Sequence, residues 1–277
     1  SAFLNVKNIK SMDMPSITII GYSAFNNCSN LEKVSMPNLT TLNNGAFRNC
    51  TKLVDIEISE NVAKIGATVF EYCKSLEMID LKNVTNLDTE SFFGCDKLTQ
   101  VIAPNLTIIG KSAFANCALL ENINKDENDY LDLSKVTSVG EAAFANCNKL
   151  KNIKFSELSI IGKEAFNSCD IVENILIENK VLEIGEAAFR HCDNLTTITL
   201  PNVIKIGKEA FSYCKKLNSE LILNDLTTIG ESAFYDCEKL TNVQIPNVTS
   251  IGKSAFRGCI TLNGEFELNN LTDLGGY

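Results

Sequence analysis

Hydrophobic and polar positions along this chain follow one pattern that returns every 22 or 23 residues. It is clearest in residues 195–214. There Leu195, Ile198 and Leu200 are interleaved with threonines, Pro201-Asn202 follows, and Val203 and Ile206 lead into Gly207-Lys-Glu-Ala-Phe211-Ser-Tyr-Cys214. Apolar and polar alternation predicts a half-buried strand from Leu195 to Leu200. Pro37, Pro104, Pro201 and Pro246 stand where that strand should stop. A Phe lies three residues before every Cys, and Leu (or Val172) lies three after it. Phe, Cys and Leu at i, i+3 and i+6 share one face of a helical turn, so a short helix is predicted there. Gly110 and its counterparts come just ahead of that turn, where they would supply a tight bend or a positive φ. Each unit reads as a strand, a corner, an apolar return and a half-helix. No single unit can bury its apolar side alone, but stacked units bury it against each other.

The eleven cysteines fall at Cys28, Cys50, Cys73, Cys95, Cys117, Cys147, Cys169, Cys192, Cys214, Cys237 and Cys259. An odd count on a strict ladder reads as one core position used once per repeat, not as a disulfide framework. Buried free thiols are expected, because a free Cys behaves as a small hydrophobe. The spacing opens once, to 30 residues between Cys117 and Cys147, and places a loop insertion at 124–131. Asp126, Asn128 and Asp132 there have a faint calcium-loop spacing, but the Gly and final Glu of such a loop are missing, so no metal is assigned. The register runs off both ends. Ile9, Met12, Met14, Ile17 and Ile20 match a repeat that lacks its own Phe-Cys turn, and residues 263–277 begin another repeat. The exposed solenoid ends are expected to pack in an oligomer or to continue into further repeats of a longer chain, with residues 1–277 forming a single domain.

With these residues laid out, the chain resembles the BspA-like, or treponemal-type, leucine-rich repeats. Residues 195–214, LTTITLPNVIKIGKEAFSYC, follow that family's pattern nearly position for position, and eleven copies extend the resemblance over essentially the whole sequence. Many units use Pro-Asn where the family more often has Pro-Ser-Ser. The resemblance implies an α/β fold: a leucine-rich repeat solenoid of about 11 full repeats of 22–23 residues. It would form a right-handed arc or horseshoe, with a concave parallel β-sheet and short helices or turns on the convex side. It also implies a cell-surface or extracellular location and a role in adhesion, with a protein ligand such as an extracellular matrix protein or another cell-surface protein.

Composition narrows the chemistry. A net charge of −9 argues against nucleic acid as a partner. No apolar run approaches the length of a transmembrane segment. There is no Ser-His-Asp set, phosphate loop or lifted carboxylate pair, so no enzyme activity and no cofactor is expected. The single His, His191, is read as a lone exposed side chain. Binding is expected on the outward strand positions, where Met78, Ile102, Leu176 and Ile222 are the apolar candidates and Asn152, Lys154, Thr199 and Gln244 the polar ones. That face reads as mixed and small-polar, without the Trp, Tyr and Arg anchors of strong interfaces. The competing expectation is a structural or intracellular interaction scaffold, in which the cytosol keeps the thiols reduced. Sequons at Asn38, Asn83, Asn105, Asn194, Asn247 and Asn270 are left without a role.

Overall fold

Backbone hydrogen bonding divides every coil into two strands and a turn side. The computed structural model describes residues 1–178, 181–218 and 220–276, wound as a parallel β-solenoid of about twelve coils. The first strand of each coil is the one the alternation predicts, as in Gln100–Ile102 and Asn174–Ile177. We call these the face strands. The second is a two-residue strand in what the sequence suggested was only an apolar return, as in Ile108–Ile109 and Lys205–Ile206. Ten of these return strands form one sheet that runs without interruption from Lys64–Ile65 to Asp273–Leu274, while Ile19–Ile20 and Thr41–Leu42 pair separately ahead of it. The face strands form four shorter ladders, and all pairings in both sets are parallel.

The turn side is not helical, which corrects the expectation of short helices. No helix occurs among the described residues. Instead, Ala113 N donates to Gly110 O at 3.2 Å and Cys117 N to Phe114 O at 3.0 Å, closing successive three-residue turns. Ser112, Phe114 and Asn116 donate sideways, to Glu141, Ala143 and Ala145 of the next coil. Such turns bring i and i+3 to the same side, so the Phe-Cys-Leu spacing fits them as well as it fits a helix. The deciding signal is the residue before each Cys, which has φ between 54° (Asp236) and 81° (Gly258). Asn, Asp, Ser and Gly are frequent there because they tolerate the left-handed region.

The Ile-Gly glycines are also corrected. None from Gly110 to Gly275 has a positive φ. They stand where adjacent coils touch: a Cβ on Gly185 would lie 2.5 Å from the Gly162 carbonyl carbon, closer than any real contact. The residue after each of these glycines alternates Lys111, Glu141, Lys163, Glu186, Lys208, Glu231, Lys253. It pairs Lys111–Glu141 at 3.1 Å, Lys163–Glu186 at 3.0 Å and Lys208–Glu231 at 3.3 Å.

The core is a stack of equivalent side chains. Phe rings pile parallel from Phe25 to Phe256, with centroids 5.1–5.9 Å apart. Phe3 stacks on Phe25 at 5.1 Å, and Val6 takes the Cys place behind Asn5 at φ 62°. The first repeat therefore has its own turn after all, with Val in place of Cys. Behind the Phe stack the cysteines are free and buried, Cys259 only partly so. Each thiol donates to the Phe carbonyl one coil back, as Cys117 does to Phe92 at 3.1 Å. Two polar columns stitch the corners. Asn38, Asn83, Asn105 and Asn247 each donate Nδ2 to a carbonyl of the preceding coil, at 2.8–2.9 Å, and Asn194 does the same at the Cys-Leu corner, at 2.6 Å. Thr85, Thr107 and Thr249 do the same through Oγ1. The Asn-x-Thr sequons are this stitch. Tyr277, where the last partial repeat ends, lies outside the described residues.

Candidate ligand-binding face

Period-2 alternation buries one side of each face strand and leaves two outward rows running along the solenoid. All eight predicted binding residues occupy these rows. Met78 and Ile102 lie on adjacent coils, offset by two positions, since Met78 pairs with Gln100 and Asp80 with Ile102. Lys154 sits beside Leu176, and Ile222 beside Gln244. Leu176, Thr199 and Ile222 come together as successive members of one row and line a shallow groove of about 340 Å³. Met78 and Ile102 are several coils away and take no part in it. Ile222 is 52% exposed and Met78 51%.

The polar candidates are already engaged with neighbouring groups of the face. Asn174 donates to Asn152 at 2.8 Å, and Thr197 to Asn174 at 2.6 Å, forming a short amide and hydroxyl ladder. Thr199 Oγ1 accepts from Ile177 N at 2.8 Å and donates to Ile177 O at 3.0 Å. Lys154 faces Glu178 at 3.4 Å. The Glu178 carboxyl is held below its usual range, chiefly by the Ser156 hydroxyl 2.5 Å away and then by Lys154. Gln244 and Asn242 both donate to one oxygen of Glu220, at 3.2 and 2.8 Å.

The charge of this face departs from the mixed reading. Asp13, Asp55, Glu57, Asp80, Asp132 and Glu220 occupy the outward rows, and Glu265 and Glu267 line the next groove with Asn242 and Gln244. Against them stand three lysines, of which Lys82 lies 3.3 Å from Asp80. Lys33 is bound to Asp55 at 2.5 Å, which raises its pKa, and Lys154 is bound to Glu178. The face thus carries much of the chain's net negative charge, a pattern that emerges only when residues 22 apart are lined up.

The insertion opens on this same face. Asn122–Ile123 pairs only with the coil before it, and Leu131–Asp132 only with the coil after it. Asp126 closes the loop by accepting from Asn128 N and Tyr130 N, both at 2.9 Å, and Lys125 reaches Asp129 at 2.6 Å. The return strands pass the insertion undisturbed, Ile108 pairing with Ser138.

The turn side carries the residue types that the face lacks. His191 stacks on Tyr213 at 4.5 Å, Tyr235 meets Tyr213 edge-on at 5.4 Å, and Arg257 lies 5.6 Å from the Tyr235 ring centre. His191 is therefore not the isolated surface side chain expected; Asp193 also lies 3.8 Å from its Nδ1. These positions precede the cysteines by one or two residues, and only the shared register shows that they adjoin.

The repeat register, the two strand columns and the turn ladder are what comparison with known proteins then tests. A family model described as a BspA type leucine rich repeat region matches residues 1–121 and 124–234. The chain belongs to this family. Among solved structures, a leucine-rich repeat protein of Eubacterium ventriosum is 20% identical, with 96% of this chain and 81% of that one covered and a TM-score of 0.57. The T. pallidum leucine-rich repeat protein is 23% identical, with 67% and 77% covered and a TM-score of 0.50. A leucine rich cell surface protein of Faecalibacterium prausnitzii is 25% identical over 97% of this chain and 79% of that one, with a TM-score of 0.45. No curated protein matches the chain. Among the described residues, no helix is long and apolar enough to cross a membrane.

Proposed function

We propose that this chain is a non-catalytic protein-binding module that works at a cell surface or outside the cell, in adhesion to host or microbial proteins. The observation that carries this reading is the groove at Leu176, Thr199 and Ile222. It exposes apolar side chains on the strand face of the solenoid, and the insertion in the repeat opens onto that face. Membership of the BspA-type family supports the adhesive role. The structural or intracellular scaffold is the second reading, favoured by free thiols throughout the ladder, which suit a reducing compartment.

The test is binding of the purified chain to a panel of extracellular proteins, including fibronectin and fibrinogen, at physiological salt. A parallel variant replaces Met78, Ile102, Leu176 and Ile222 with Ser. Saturable binding that the variant loses supports the reading and assigns it to the strand face. Binding that the variant keeps moves the site to the turn side. No binding to any panel member favours the scaffold.

A further inference from the structure

We infer that the groove at Leu176, Thr199 and Ile222 takes a cationic polypeptide segment of a partner protein, one that carries apolar side chains between Lys or Arg residues. The inference rests on the protein-binding reading and adds the chemistry of the partner. The groove has an apolar floor with a carboxylate at each edge, Glu178 on one side and Glu220 on the other. Glu178 is balanced by Lys154. Glu220 has no ion pair among the described residues; the amides of Asn242 and Gln244 both bind its Oε1 and leave the other carboxylate oxygen open. Along the rows, Asp132 lies beyond Lys154 on one side of the groove and Glu265 and Glu267 lie beyond Gln244 on the other, and no arginine lies on them. A negative field of this kind repels acidic segments and raises the local concentration of basic ones. Ile222, half exposed, gives an apolar side chain a place to be covered. Leu176 and Ile222 are two coils apart, about 10 Å at the spacing of parallel strands. An occupant therefore needs two apolar side chains at that separation, with cations beyond them to meet the carboxylates. The groove spans the boundary between the face ladder that ends at Thr197–Ile198 and the one that begins at Leu221–Ile222.

Three labelled synthetic peptides of equal length test this by fluorescence anisotropy. One interleaves leucine with lysine, one leucine with glutamate, and one serine with lysine. The Leu/Lys peptide is expected to bind saturably and the other two roughly tenfold more weakly or not at all. The variant Leu176→Ser/Ile222→Ser should weaken the Leu/Lys peptide by about tenfold, because it removes both apolar side chains from the floor. The variant Glu178→Gln/Glu220→Gln should weaken it about fivefold and flatten its dependence on salt. Equal binding of the Leu/Glu peptide would overturn the cationic assignment. Equal binding of the Ser/Lys peptide would overturn the groove. A dimer that disappears in the serine variant, seen by sedimentation, would give the groove to a second copy of this chain and also overturn it. If a panel protein binds through the strand face while no peptide does, this inference fails and the protein-binding reading stands.

Discussion

At the scale of single residues, the thiols link the core to pH. Desolvation holds buried thiols such as Cys73, Cys169 and Cys192 neutral, and it pushes the pKa of Cys169 up to about 12 from an ordinary 9.0. An unfolded chain releases these protons near pH 9, while the folded chain keeps them. Stability is therefore complete below about pH 9 and falls as the pH climbs towards the folded values, by at most about 1.4 kcal/mol per pH unit for each buried thiol. Urea unfolding followed by circular dichroism should show a constant midpoint up to about pH 8.5 and a steep fall beyond it. Cys259 is the exception: partly exposed, and lowered chiefly by the hydrogen bond from Cys237. A thiol reagent at neutral pH should modify one cysteine quickly in the native protein and the rest only in denaturant. Cys259→Ser should remove the fast phase. Crowding between coils makes a separate prediction. Gly185→Ala drives a methyl into the Gly162 backbone and should cost roughly 1–3 kcal/mol, read from the shift in the same urea midpoint.

At the scale of elements, the two strand columns and the turn ladder behave differently. The corner stitch occupies the Asn side chains, so glycan attachment at Asn83 or Asn105 would break a bond of 2.9 or 2.8 Å to the preceding coil. Expression through a eukaryotic secretory pathway should leave both sites unmodified by mass spectrometry, and Asn83→Ala should cost about 1 kcal/mol. Deleting residues 124–131 joins Ile123 to Asp132-Leu133 and restores a 22-residue step. Return strands and sideways turn bonds already bridge that position, so the deletion variant should melt as cooperatively as the parent. The face strands are legible because burial on one side writes a period of two into pairs such as Ile198 and Leu200, or Ile175 and Ile177. The turn ladder was misread as helix because three-residue turns and helices place Phe and Cys alike. The information that separates them sits in Asn116 and Ser112, polar residues whose φ no periodicity reports. Return strands escaped notice because two residues, such as Ile108–Ile109, are too short to show a period.

At the scale of the whole molecule, packing is almost entirely between neighbouring coils, and one Phe stack passes through them all. Stability is then a sum of coil and interface contributions. Phe144→Ala should cost roughly 3–5 kcal/mol. Hydrogen exchange should show the destabilisation spreading from the coils around Phe114 and Phe166, with the ends least affected. The candidate face was half legible for the same reason. Each outward position can be counted from its Cys, which places Leu176, Thr199 and Ile222 on the outward rows. Their convergence, the acidic rows and the His191–Tyr213 stack depend on which coils are adjacent, and a linear sequence does not display this.

The coil that carries the insertion has a mechanical consequence. Pulled from its two ends, a stack of this kind peels one coil at a time. A 22-residue coil releases roughly 75 Å of contour and the 30-residue coil between Cys117 and Cys147 roughly 100 Å, at about 3.4 Å per residue. In an optical trap the chain should give a near-regular sawtooth with a single long step. That step is an internal mark, and its place in the series tells from which end the solenoid gives way.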